Sequence, residues 1–253
     1  MSQLNGHDSR RLSSAPSEDL RADNLTLTYV TPRSTTYAVR DVSLSIGPRE
    51  FAGIVGPSGS GKSSLLYLMS GMRTATSGDV HFGSFHYSAA SPSDKLDFRR
   101  ASFGFIFQQP HLIGYLSVLE NVLVPIENPK PADKKRALEL LDSLGIAELA
   151  PKFPNECSGG ERVRASMARG LVHRPAWLWV DEPTASLDSI TGKMVMDVLR
   201  GQTEHGALVV ITHDLEILDD ADIVFRMRDG ALTETFAPRS RRGKKEKRSE
   251  GEH

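Results

Sequence analysis

Gly56-Pro57-Ser58-Gly59-Ser60-Gly61-Lys62-Ser63 is the stretch on which the fold of this 253-residue chain turns. It fits G-x-x-x-x-G-K-[ST] in full. Glycines let the backbone wrap phosphate oxygens with its N–H groups, a lysine at this place reaches the β- and γ-phosphates, and a serine hydroxyl after it ligates Mg²⁺. An apolar strand, Glu50–Val55, runs into the loop, and a helical pattern over Ser63–Gly71 leaves it. That context puts the positive end of a helix behind the bound phosphate. A merely flexible glycine turn has no use for Lys-Ser at its end. The stretch is a nucleotide site.

Further along, Trp177-Leu178-Trp179-Val180 forms an apolar run closed by Asp181 and Glu182. In a phosphoryl-transfer site the first carboxylate holds Mg²⁺ through its water shell, and the second orients and polarises the attacking water. The two tryptophans read as core. Ala207–Ile211 is the next short apolar run, of the kind buried parallel strands show, and Thr212-His213-Asp214 ends it. His213 follows Glu182 by 31 residues, so neighbouring parallel strands bring the two side by side. Helical patterns at 91–102, 117–124, 133–144, 158–173 and 189–204 alternate with these runs, and Phe103–Phe107 reads as a further strand. Before the loop lie β-rich runs, Leu25–Tyr29 and Tyr37–Ile46. After it comes a strand pair within Thr74–His86, broken at Gly78 and Gly83. Asp229-Gly230 joins two last strands, Ile223–Arg228 and Ala231–Thr235, as a hairpin turn. The expected class is α/β: a P-loop core with a parallel sheet, an N-terminal antiparallel β subdomain and an α-helical subdomain.

Composition narrows the class. Thirty-one basic and 32 acidic side chains leave a formal charge of −1, so no whole-chain field points to nucleic acid. Seven of the basic residues crowd into 239–248; without residues 238–253 the body holds 24 basic and 29 acidic side chains, net −5. The tail is expected to be solvated and disordered, with anionic lipid contact as the alternative. One cysteine, Cys157, excludes an internal disulfide. No apolar run approaches the ~18 residues of a membrane span. Residues 1–21 are polar and read as a disordered extension, which places the folded domain at 22–237.

The loop and the carboxylates alone leave kinases, GTPases and other ATPases open. Cys157-Ser158-Gly159-Gly160-Glu161 closes the choice. It lies ahead of Asp181 by 20 residues, counted from Glu161, and opens a helix. Here the chain resembles the ATP-binding cassette family, whose signature reads Leu-Ser-Gly-Gly-Gln, over about residues 22–236. The resemblance implies that fold, ATP and Mg²⁺ as ligands, and ATP hydrolysis. It assigns Gln108 to the Q-loop, Ser186-Leu187-Asp188 to the D-loop and His213 to the switch histidine. It places Tyr29 against adenine, although Tyr37 competes for that place. The implied catalytic set is Glu182, His213 and Gln108, and the implied metal set Ser63, Gln108 and Asp181. The nucleotide is implied to be held by the phosphate loop with Ser64 and, from the opposite chain, by Ser158, Gly159, Gly160, Glu161 and Asp188. Two departures stand out: Cys157 for leucine, read as a packing residue, and Glu161 for glutamine, which is similar to the lipoprotein-release, macrolide-efflux and cell-division branch.

The same resemblance implies partners. Two ATPase chains, identical or paralogous, sandwich two ATP, and a helical subdomain at about 109–170 receives a helix from a separately encoded permease. Phe107-Gln108-Gln109-Pro110-His111-Leu112-Ile113 and Leu119-Glu120-Asn121-Val122 are similar to the export branch. Leu112, Ile113, Tyr115 and Leu116 are expected to be exposed there until the permease covers them. The implied place is peripheral, on the cytoplasmic face of a membrane, and no nucleic acid is expected. The rival is a non-transport ATPase of the same family acting on DNA or ribosomes. Its DNA-repair type carries a long coiled coil between the phosphate loop and the signature, an interval that here is 94 residues without heptads.

Overall fold

The computed structural model describes residues 18–31 and 34–238. The 1–17 part of the proposed extension and nearly all of the basic tail lie outside them. Ten strands and six α-helices alternate: β1 (Leu20–Thr31), β2 (Ser34–Ile46), β3 (Phe51–Val55), α1 (Lys62–Met69), β4 (Ser77–Phe82), β5 (Phe85–His86), α2 (Pro92–Ser102), β6 (Phe103–Ile106), α3 (Val118–Leu123), α4 (Pro131–Ser143), α5 (Gly159–Leu171), β7 (Trp177–Asp181), α6 (Ser189–Arg200), β8 (Ala207–Thr212), β9 (Ile223–Arg228) and β10 (Ala231–Phe236).

The strands make two sheets. A four-stranded antiparallel sheet runs β2-β1-β4-β5, and a six-stranded sheet runs β10-β9-β3-β8-β7-β6. In the second, β9, β3, β8, β7 and β6 are mutually parallel, and β10 turns back on β9. Every residue of β3, β7 and β8 is buried, as strands covered on both faces must be. The core divides across this sheet. One side joins α5, α6 and the helices around α3 and α4; the other joins α1 and the antiparallel sheet, with Trp177 and Trp179 fully buried. The tryptophans are core, as read.

Two boundaries differ from the sequence expectation. The first strand begins at Leu20, two residues before the expected start of the domain: Leu20 pairs with Ile46 and Phe82 and has no exposed surface. Burying such a side chain contributes roughly 1.5–3 kcal/mol, enough to extend the strand into a polar sequence. The second concerns the loop at 111–116. Leu112 packs against the core, Ile113 and Leu116 are half-buried, and only Tyr115 stands out, 81 % exposed. Buried Asn121 explains it: its side chain accepts from the Ile113 amide at 2.7 Å and donates to the Ile113, Leu116 and Ser117 carbonyls at 3.0 Å. Satisfying those backbone groups folds the loop inward.

The longest helices among the described residues, α4 and α5, have 13 residues each. That leaves no room for the coiled coil of the DNA-repair type. No helix of the described residues is long and apolar enough to cross a membrane.

Candidate functional site

Parallel register sets the site. Val55 at the end of β3 aligns with Thr212, Ile211 with Asp181, and Val180 with Ile106. Four carboxyl-terminal strand ends therefore deliver the phosphate loop, His213, the Asp181–Glu182 pair and Gln108 to one edge of the sheet, where open α/β sheets bind ligands. A cleft of about 710 Å³ opens there, lined by Ser58, Gly59, Gly61, Lys62, Ser63 and Ser64 of the loop, by Gln108, Asp181, Glu182 and His213, and by Tyr29 and Tyr37.

The loop is held from behind. Gly61 has φ 97°, and a Cβ there would meet the Ala38 carbonyl at 2.1 Å. Only glycine fits. The Ser60 carbonyl accepts from the Gly230 amide, and Arg40 N–H donates to the Gly230 carbonyl, so β2 and the β9–β10 turn brace the loop's back. Gly56 and Pro57 do not face the cleft; their carbonyls accept from Lys62 Nζ at 2.7 and 3.0 Å. Helices α2, α3, α5 and α6 are capped by their own Ser91, Ser117, Ser158 and Asp188 side chains. In contrast, α1 has Gly61 at that place, no side-chain cap and no acidic residue in its first turn. Its amides and positive dipole end are thus left for an external anion.

Asp181 is 8 % exposed. Burial pushes its carboxyl above the ordinary range; the Ser63 hydrogen bond and the Lys62 charge oppose that, and Glu182 adds to it. A desolvated carboxylate beside a serine hydroxyl is a donor set that a hard divalent cation satisfies, so Mg²⁺ fits Ser63 and Asp181 with Gln108 in the same cleft. Glu182 sits at φ 51°, strained for a side-chain-bearing residue, as residues at functional sites often are. Its amide donates to the Ile211 carbonyl, and its carboxylate oxygens lie 3.0 and 3.1 Å from His213 Nδ1. Thr212 Oγ1 donates to it at 3.3 Å. A carboxylate only accepts, so the contact is made by a proton on His213 Nδ1.

The remaining expected residues lie elsewhere. Ser158 caps α5 in a reciprocal capping box: its N–H donates to Glu161 Oε2 at 2.7 Å, and its Oγ accepts from the Glu161 amide. Glu161 therefore spends its carboxylate on the helix end, and those hydrogen bonds from Ser158 hold its carboxyl below the usual range. A Cβ on Gly159 would meet nothing within 4 Å, while Gly160 faces Leu187. Asp188 caps α6 through the Ile190 and Thr191 amides. None of these residues lines the cleft of its own chain. Cys157 is buried in the core, where burial, the largest influence, pushes its thiol up; it packs and is poorly reactive. Residues that the sequence reading passed over, Thr36, Ala38 and Ala185, also line the cleft. The Arg73 guanidinium lies 4.7 Å over the Tyr29 ring, and Arg40 stands likewise over Tyr37.

The ABC transporter family model matches residues 39–185. The chain belongs to the ABC transporter family. It is 37 % identical over 219 residues to an uncharacterised ABC transporter ATP-binding protein of Methanocaldococcus jannaschii, covering 85 % of this chain and 98 % of that one. It is 40 % identical over 218 residues to a lipoprotein-releasing system ATP-binding protein of Rhodopirellula baltica, covering 84 % and 95 %. Among solved structures it is similar to the dimeric ATP-binding cassette MJ0796 in a post-hydrolysis state with ADP and phosphate, with TM-score 0.82 and 32 % identity over 87 % of this chain and 99 % of that one. As an ABC ATPase the protein binds and hydrolyses ATP with Mg²⁺.

The state of Asp181 yields an expected result. Because its folded pKa is raised, the folded protein binds that proton more tightly than the unfolded chain. Its contribution to stability therefore declines as pH rises from the ordinary value of 3.8 through the raised one. Asp181→Asn is expected to raise the melting temperature of the metal-free protein at neutral pH, to leave it little changed at strongly acidic pH, and to abolish Mg²⁺-dependent hydrolysis. Thermal melts at the two pH values, with ATPase assays, check it. A melting temperature lowered at neutral pH would contradict the burial argument.

Proposed function

We propose that this ATPase powers a separately encoded membrane protein from the cytoplasmic face of its membrane. Two cassettes, identical or paralogous, close over two ATP. In this reading Lys62 and the loop amides hold the β- and γ-phosphates, Ser63, Asp181 and Gln108 hold Mg²⁺, and Glu182 orients and polarises the attacking water beside His213. Held by Ser63, Asp181 and Gln108, Mg²⁺ would supply positive charge to offset the negative charge that develops on the transferred phosphate. Tyr29 or Tyr37 stacks on the base, and Ser158, Gly159 and Gly160 meet the γ-phosphate of the partner, with Asp188 at the interface. The two-chain arrangement rests on Gly159 facing open space: nothing in its own chain requires a glycine there, whereas an approaching phosphate does. The likeness to a dimeric cassette bound to ADP and phosphate supports it. An export or mechanotransmission system is the branch favoured, on the likeness to a lipoprotein-releasing ATP-binding protein.

The observation that carries the membrane partner is a groove of about 700 Å³ between α2, β6 and the end of α3, lined by Leu96, Arg100, Phe105, Val124 and Pro125 among others. Leu96 and Val124 are both nearly half exposed, so an apolar floor meets a rim of mixed charge, Arg99 and Arg100 with Asp97 and Glu127, suited to an amphipathic helix. The groove takes over the docking role that the sequence reading gave to Leu112–Leu116. Leu96→Glu and Val124→Glu are expected to spare basal ATPase activity and abolish co-purification with the membrane subunit. Variants that assemble and transport normally would place the contact elsewhere. Leu112→Glu, by contrast, is expected to lower thermal stability, because Leu112 packs against the core.

A further inference from the structure

Away from the nucleotide cleft, the antiparallel sheet gathers two histidines and two aspartates. Asp79 and His81 alternate on β4 and so share a face. The turn at Gly83, φ 55°, brings His86 of β5 opposite His81, and β1 places Asp23 opposite Asp79. One nitrogen each of His81 and His86 and one oxygen of Asp79 all lie within 4.8 Å of one another. His81 Nε2 is 3.1 Å from Asp23 Oδ2 and 3.5 Å from Asp79 Oδ2, and His86 Nδ1 is 3.7 Å from that same Asp79 oxygen.

We propose that Asp79, His81 and His86 form a binding site for a zinc-class divalent cation, which would staple β4 to β5, with Asp23 of β1 beside His81 at its edge. Tetrahedral bonds of about 2.0–2.2 Å set neighbouring ligand atoms about 3.3–3.6 Å apart, and the 3.5 and 3.7 Å separations of the two imidazole nitrogens from Asp79 Oδ2 lie close to that spacing. Hydrogen bonding accounts poorly for the approach of both imidazoles to Asp79. Asp79 Oδ2 already accepts from Ser88 Oγ at 2.7 Å, and two more ring nitrogens converge on it at lengths where hydrogen bonds are weak. A central cation satisfies all of them at once.

The donors are also prepared. Asp79 Oδ1 accepts from the Val80 and Ser88 amides at 2.8 and 2.9 Å. Such supporting hydrogen bonds orient a ligating carboxylate. Mixed imidazole and carboxylate donors select zinc and its late first-row neighbours over Mg²⁺. An open cavity beside the cluster gives access; Arg21 lines it, outnumbered by Glu18, Asp19 and Asp23.

Calorimetric titration of the full chain with ZnCl₂ tests the site, with excess Mg·ADP present to fill the nucleotide cleft. The expected result is one Zn²⁺ per chain and a higher unfolding temperature, reversed by chelation. His86→Ala is expected to weaken binding more than about 100-fold, beyond the roughly 10–100-fold expected for Ser88→Ala, whose hydroxyl only orients Asp79. His86 is half exposed, so its variant should fold, and an unchanged Mg·ATPase rate verifies that. No saturable binding by the wild type, or Zn²⁺ affinity unchanged in both variants, would overturn the proposal.

Discussion

Lys62→Ala is expected to cut ATP affinity by about 10- to 100-fold while the fold persists. The ammonium is nearly buried and donates to the Gly56 and Pro57 carbonyls. It is thus held inside the loop that α1 leaves uncapped. When phosphate enters, the same charge is available to its oxygens, and a hydrogen bond to a charged group contributes about 1.5–3 kcal/mol, which sets the expected loss. The substitution also frees two loop carbonyls, but both belong to a loop braced from behind by Gly230 and Ala38, so native circular dichroism is expected. Calorimetry with ATP makes the measurement. Wild-type affinity in a natively folded variant would remove Lys62 from the phosphate site.

The strand-end logic behind that expectation was legible before any coordinates. A Lys-Ser pair after glycines, two carboxylates closing an apolar run and a histidine closing the next all sit at strand ends. Parallel pairing then leaves few places for them to go. The Asp229-Gly230 turn was legible for a similar reason: both residues take positive φ, which that dipeptide tolerates. The signature was read as opening a helix, and the structure shows how: Ser158 and Glu161 cap α5 reciprocally. What stayed hidden depends on contacts between distant segments. Leu20 shows no periodicity among its polar neighbours; Ile46 and Phe82 bury it. Leu112 turns inward because Asn121 satisfies the loop's backbone groups. Leu96 disappears in a charged helix until Phe105 and Val124 stand beside it. The Asp79–His81–His86 cluster spans two strands, and neither strand alone carries a ligand motif.

Glu182→Gln is expected to separate chemistry from dimer closure. The substitution preserves the size of the side chain and one carbonyl acceptor for His213 Nδ1, but removes the negative charge that polarises water. Assistance by a general base contributes about 10²–10⁴-fold, so hydrolysis is expected to fall by that order while ATP still binds. Two copies should then remain closed over unhydrolysed ATP, eluting as a dimer in ATP and as a monomer in ADP. Ser158→Arg added to this variant should restore the monomer. Ser158 caps α5 beside the open space at Gly159, and a bulky side chain there would stand where the partner's phosphate has to enter. The second substitution also removes the α5 cap, whose loss costs about 1 kcal/mol, a local effect distinguishable from interface disruption by an unchanged ATP affinity in the monomer. Size-exclusion chromatography with light scattering decides the matter. Wild-type turnover by Glu182→Gln would refute the role given to that carboxylate. An inactive variant that stays monomeric in ATP would refute closure by the two cassettes alone, and the power stroke would then have to begin from the membrane subunit holding them together.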